Sequence, residues 1–169
     1  MSTIEDKLEA IEDAYEQDAD EERPLRSYAG ILAAYVLGTG TLAAIGRRRL
    51  PGRLAPADLA LGSVATYKLA RLLTEDPITS PLRAPFTTYE GLAGPSALRE
   101  EVRGQGWRHA VGELLTCPFC ISQWVATSLV AGLALAPRPT RTFMSILALV
   151  SASEALQLLH SRVEQAARG

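Results

Sequence analysis

SYAGILAAYVLGTGTLAAIG, residues 27–46, runs for twenty positions without a charged side chain. As a helix it rises about 30 Å, the thickness of a bilayer's hydrocarbon core. A buried helix of a water-soluble domain usually carries a polar residue within that length. Three further stretches of spanning length make a membrane crossing the better reading. The flank before it is acidic where a signal peptide carries bases, so it reads as a retained span.

Residues 118–136, PFCISQWVATSLVAGLALA, are equally free of charge and end at Pro137. Pro118 suits a first helical turn, where its missing N–H costs nothing. Ser128 and Gly132 form a small-xxx-small step that admits a neighbouring helix. Residues 56–73 carry Asp58 at the start and Lys68 and Arg71 near the end, so a re-entrant or interfacial helix competes with a span. Residues 142–160 carry Glu154 in a polar stripe with Ser151, Gln157 and Ser161, which must face protein or water.

Composition agrees once it is divided along the chain. The 169 residues have a mean hydropathy of +0.07 and a formal net charge of −2, but residues 1–22 hold ten acids against Lys7 alone. Residues 23–169 carry sixteen bases and nine acids. This is an acidic tail on a basic, apolar body, which excludes a disulfide-built mini-protein, a collagen and a disordered chain. The arginines are scattered and form no stripe, which argues against nucleic acid as a partner. Ile4, Leu8, Ile11 and Tyr15 have heptad spacing, so residues 1–26 read as an acidic amphipathic helix. It is either a solvated tail or a docking surface for a second copy or a partner protein.

The long connection 74–112 is rich in proline and glycine. Three prolines predict an extended course over 74–85, residues 96–103 read as a short surface helix, and Trp107 as an interfacial anchor. Arg83 has three candidate partners: the carboxylate of Asp76, that of Glu113, or a lipid phosphate.

Cys117 and Cys120 are the only cysteines, three apart at a helix start, where the dipole favours thiolate. The pair admits a helix-start or packing role, thiol–disulfide exchange, or half of a zinc site, since zinc takes four ligands and neither His109 nor His160 has ligand spacing to it. No other cofactor is expected. Asp58, Lys68, Arg71, Glu113 and Glu154 form a set of charges at membrane depth, with Glu154 expected to pair with Arg71 or Lys68. They read either as a register-fixing ion pair or as an ion or proton path. Among common catalytic motifs there is no GxxxxGK[ST], GxGxxG, HExxH or GxSxG.

KLARLL at 68–73, EDPITSPLRAPF at 75–86 and ELLTCPFC at 113–120, with Trp124 beyond, resemble a small bacterial integral-membrane family catalogued only as a domain of unknown function. The likeness covers about residues 56–160. It implies a bacterial membrane protein, known also in spore-forming lineages, with no assigned enzymology. The departure is at Ile121 and Ser122, where the family more often has a glycine.

The fold expected is all-α: a polytopic bundle of about four transmembrane helices over 27–160, an acidic N-terminal helix, and a tail at 161–169. The expected function is a non-enzymatic anchor or assembly subunit. A thiol-redox protein and a small channel or transporter are the alternatives. Basic residues place both termini in the cytoplasm of a bacterium, although Arg47, Arg48 and Arg49 after the first span pull the other way.

Overall fold

A computed structural model describes residues 24–46, 53–94 and 96–168, with Ile4, Asp6, Lys7, Ile11 and Tyr15 of the N-terminal segment. The chain is mostly helical. α1 spans Leu25–Gly46 and α2 Pro56–Thr74. A 3-10 turn, Pro77–Thr79, leads into α3, Ser80–Arg83. Strands β1 (Thr87–Gly94) and β2 (Ala97–Val102) follow, then α4 (Trp107–Thr116), α5 (Pro118–Leu135) and α6 (Pro137–Arg168). Three helices, α1, α5 and α6, are long and apolar enough to cross a membrane.

Proline opens three of the four long helices. Pro56, Pro118 and Pro137 each stand at the first helical position, where no ladder N–H is lost. Hydroxyls inside the apolar helices turn back on their own backbone. Thr39 donates to Tyr35 O, Thr127 to Gln123 O and Ser128 to Trp124 O, at 2.8–2.9 Å. That satisfies each hydroxyl where lipid offers no partner.

Cross-helix contacts fix the directions. Asp58 meets Arg141 and Lys68 meets Glu154, so α2 and α6 run parallel. Tyr28 meets Glu113 before α5, and Tyr35 meets Gln123 and Thr127 within it, so α1 runs parallel to α5. Ala136 alone separates α5 from α6, which forces that pair antiparallel. The four helices therefore alternate up and down. The start of α1, the end of α2, the start of α5 and the end of α6 share one end of the bundle.

The core lies between α2, α5 and α6. Ile121, Val125, Leu129 and Leu133 recur every fourth residue, so one face of α5 is buried against Ala65 and Ala70 of α2 and Met144 and Leu147 of α6. Gly132 makes the tight turn possible, because a Cβ there would sit 2.8 Å from Thr140 Oγ1. Ser128, the other half of the small-residue step, faces away from protein.

Four expectations are corrected. The fold is not all-α: β1 and β2 form a two-stranded antiparallel sheet running from Thr87↔Val102 to Gly94↔Ala97. The surface helix expected at 96–103 is therefore strand β2. Register shifts flank Gly91, whose φ of 142° suits only glycine. The course over 74–85 is not extended, because its prolines open the 3-10 turn and α3. Finally, α6 starts at Pro137 and runs through residues 161–168, so Arg141 belongs to the helix.

Candidate functional site

The densest polar construction is the cap on the shared end of the bundle. Arg83 is fully buried and donates in five directions. Nε reaches Glu100 Oε2 at 2.5 Å and Nη2 reaches Glu100 Oε1 at 3.2 Å and Asp76 O at 3.1 Å. Nη1 reaches Leu73 O at 2.9 Å and Thr79 Oγ1 at 2.7 Å. A guanidinium has five N–H groups, so this one is saturated. The bonds join the last turn of α2, the proline turn and β2 at one point. Leu98 N–H donates to Glu75 O at 2.8 Å, a second tie from hairpin to helix end. Arg83 was expected to meet a carboxylate of Asp76 or Glu113, or lipid. It meets Glu100 instead, and of Asp76 it takes only the backbone carbonyl. Full burial removes it from lipid.

α4 seats on the hairpin through Gly112. A Cβ there would lie 2.5 Å from Val102 Cγ1 and 3.1 Å from Phe86 O, so only glycine allows the approach. Trp107 is exposed at the other end of α4, edge-on to Phe86 with centroids 6.1 Å apart and with Arg108 over its ring.

Cys117 is the only residue between α4 and α5. The structure joins it to Cys120 in a disulfide, with Cα atoms 5.2 Å apart. Cys117 Sγ also accepts Cys120 N–H at 3.2 Å, which caps α5. Cys120 and Phe119 are exposed and Cys117 is half-buried. Among the described residues, no third histidine, cysteine or carboxylate completes a metal site with the pair. Glu113, one turn before Cys117, accepts from Tyr28 Oη and stands 3.4 Å from His109 Nε2.

The charges expected at membrane depth are paired. Lys68 bonds Glu154, and Asp58 takes Arg141 through two parallel bonds of 2.8 Å. Arg71 does not reach Glu154. It bonds Glu75 one turn on, at 2.5 Å. In the polar stripe of α6, Gln157 bonds Ser153 and Ser161 bonds Leu158 O within the helix.

Ile4, Ile11 and Tyr15 are helical and exposed, and Leu8 lies outside the described residues. Sequence reasoning missed Tyr28, Tyr35, Glu100 and Arg141. Two tyrosines, Gln123 and Thr127 within apolar helices were a usable signal, since each needs a polar partner there. Gln123 Nε2 donates to Tyr35 Oη at 2.7 Å, which lies 2.8 Å from Thr127 Oγ1. Tyr35 also meets Trp124 edge-on, with centroids 5.1 Å apart.

The family model described as "Protein of unknown function (DUF1360)" matches residues 61–160, more than half of the chain. The chain belongs to the DUF1360 family. The sporulation protein YjcA of Bacillus subtilis (strain 168) is similar to it, 31% identical over 107 residues that cover 62% of this chain and 91% of YjcA. No solved structure matches the chain. The DUF1360 match contains the Arg83 cap, the disulfide, α5 and the Lys68–Glu154 pair. Tyr28, Tyr35 and Asp58 lie before it.

Proposed function

We propose that the chain is a non-enzymatic, multi-pass membrane subunit that anchors or assembles other components. In this reading four helices cross the bilayer, and the cap stands outside it on the side of both termini. One observation carries the proposal: the ionisable groups that form the candidate site are engaged with one another. Lys68 bonds Glu154, Asp58 bonds Arg141, Arg71 bonds Glu75, Arg83 bonds Glu100, and Glu113 accepts from Tyr28. Groups spent in this way rigidify a scaffold, whereas a catalytic site keeps groups positioned for a substrate.

Outward, the molecule offers apolar side chains: Leu32, Val36, Leu37 and Ile45 on α1, and Leu149, Leu156, Leu159 and Val163 on α6. These suit lipid and neighbouring helices. α2 joins the crossing helices because Asp58 and Lys68 are covered and paired, which lowers the cost of their charges at depth. The basic residues then divide eleven to six in favour of the side with both termini, which supports a cytoplasmic side for the termini and cap. The relative's name as a sporulation protein of Bacillus subtilis supports a bacterial origin.

Ile4, Ile11 and Tyr15, exposed in a stretch of sequence rich in acids, are the proposed contact with a second copy or a partner. The test is deletion of residues 2–22, followed by particle mass in detergent. A smaller particle or a lost partner supports the proposal, and an unchanged mass and composition refute it.

A further inference from the structure

We propose that Cys117 and Cys120 form a thiol–disulfide exchange site that accepts two electrons from a protein dithiol. This inference does not rest on the assembly role.

Three observations carry it. First, the disulfide is structurally redundant. It closes a loop of four residues, which removes little entropy from the unfolded chain. Pro118 at the first helical position and the Cys117 Sγ cap already fix where α5 begins. Second, the two sulfurs differ in access. Cys120 is exposed next to Phe119, which is 88% exposed, while Cys117 is half-buried in the corner between α4 and α5. Third, the less accessible sulfur already has a hydrogen-bond donor on it. Cys117 Sγ takes Cys120 N–H at the start of an 18-residue helix. A backbone N–H aimed at a sulfur offers a partner to the electron pair that leaves on it.

These features give a direction of attack. A donor thiolate attacks Cys120 Sγ, the Cys117–Cys120 bond breaks, and its electron pair leaves on Cys117 Sγ. The donor and Cys120 are then linked in a mixed disulfide. The donor's second thiolate attacks the donor sulfur of that bond and expels Cys120 as thiolate. The donor ends as a disulfide, and this chain as a dithiol after its two thiolates take protons from water. The donor presents exposed side chains able to approach Phe119, since that residue projects beside the attacked sulfur.

The test uses the full chain in detergent, equilibrated in mixtures of reduced and oxidised dithiothreitol as the probe dithiol. Acid quenching and a mass-adding maleimide then count free thiols. The expected result is a reversible two-thiol titration of the folded protein, both thiols appearing together. In a second measurement, reduced glutathione is added to the oxidised wild-type protein as a single-thiol probe, the reaction is quenched with acid, the freed thiol is blocked with a maleimide, and tandem mass spectrometry locates the mixed disulfide. It is expected on Cys120 about tenfold more often than on Cys117, because access limits attack. A wild-type protein that yields thiols only after unfolding, or a mixed disulfide found as often on Cys117 as on Cys120, overturns the proposal.

Discussion

Arg83 spends five donors on two carboxylate oxygens, two carbonyls and a hydroxyl, all under protein cover. Its partner Glu100 is 6% exposed, so removing the cation leaves a buried carboxylate uncompensated. Arg83→Ala should therefore lose about 3–5 kcal/mol of stability, read as thermal unfolding in detergent. Arg83→Lys should recover little of it, because an ammonium cannot reproduce the planar fork. If Arg83→Ala melts with wild type, the cap is not held as described. Gly112 sets a second residue-scale limit. A methyl group there collides with Val102 and the Phe86 carbonyl, so Gly112→Ala should lose about 1–3 kcal/mol in the same measurement. Glu100 could not be paired with Arg83 from the sequence, because the bond depends on the hairpin turning back seventeen residues later.

Among the elements, the apolar helices were the most legible. Residues 27–46 and 118–136 fall within one or two positions of α1 and α5, because absence of charge over bilayer length is a property of the residues themselves. The start of α6 is less legible. Pro137 marks the end of the preceding apolar stretch, yet it also opens α6, because a proline in a first turn removes no ladder bond, and Arg141 is thereby brought to Asp58. The hairpin was hidden for a different reason. ALREEV has good helix formers, and it becomes a strand because Arg83 holds Glu100 and Glu75 O holds Leu98 N–H. Between elements, α2 and α6 are held in parallel register by Lys68 and Glu154. Glu154→Ala should destabilise the bundle by stranding a buried lysine, and the double change Lys68→Met with Glu154→Met should regain much of the loss. A double variant as unstable as the single would contradict that assignment. α1 docks through Tyr35, so Tyr35→Phe should loosen it by about 0.6–1.7 kcal/mol, seen as faster proteolysis after α1.

At the scale of the whole molecule, bilayer and charge act together. The helices alternate in direction, and the start of α1, the end of α6, the cap and the disulfide lie at one end, so a single orientation decides which compartment they meet. α6 has 32 residues, about 48 Å of helix against a hydrocarbon core of about 30 Å, so a bilayer around its apolar part would leave the rest outside. The proposed topology turns on α2 crossing the bilayer, since its charges must be hidden for it to do so. Site-directed labelling is the decisive check. In a background with Cys117 and Cys120 changed to serine, Arg53→Cys before α2 and Arg99→Cys on β2 are treated with a membrane-impermeant maleimide in intact cells. Arg53→Cys should be labelled at once and Arg99→Cys only after the membrane is opened. Labelling of both positions from the same side would contradict that topology.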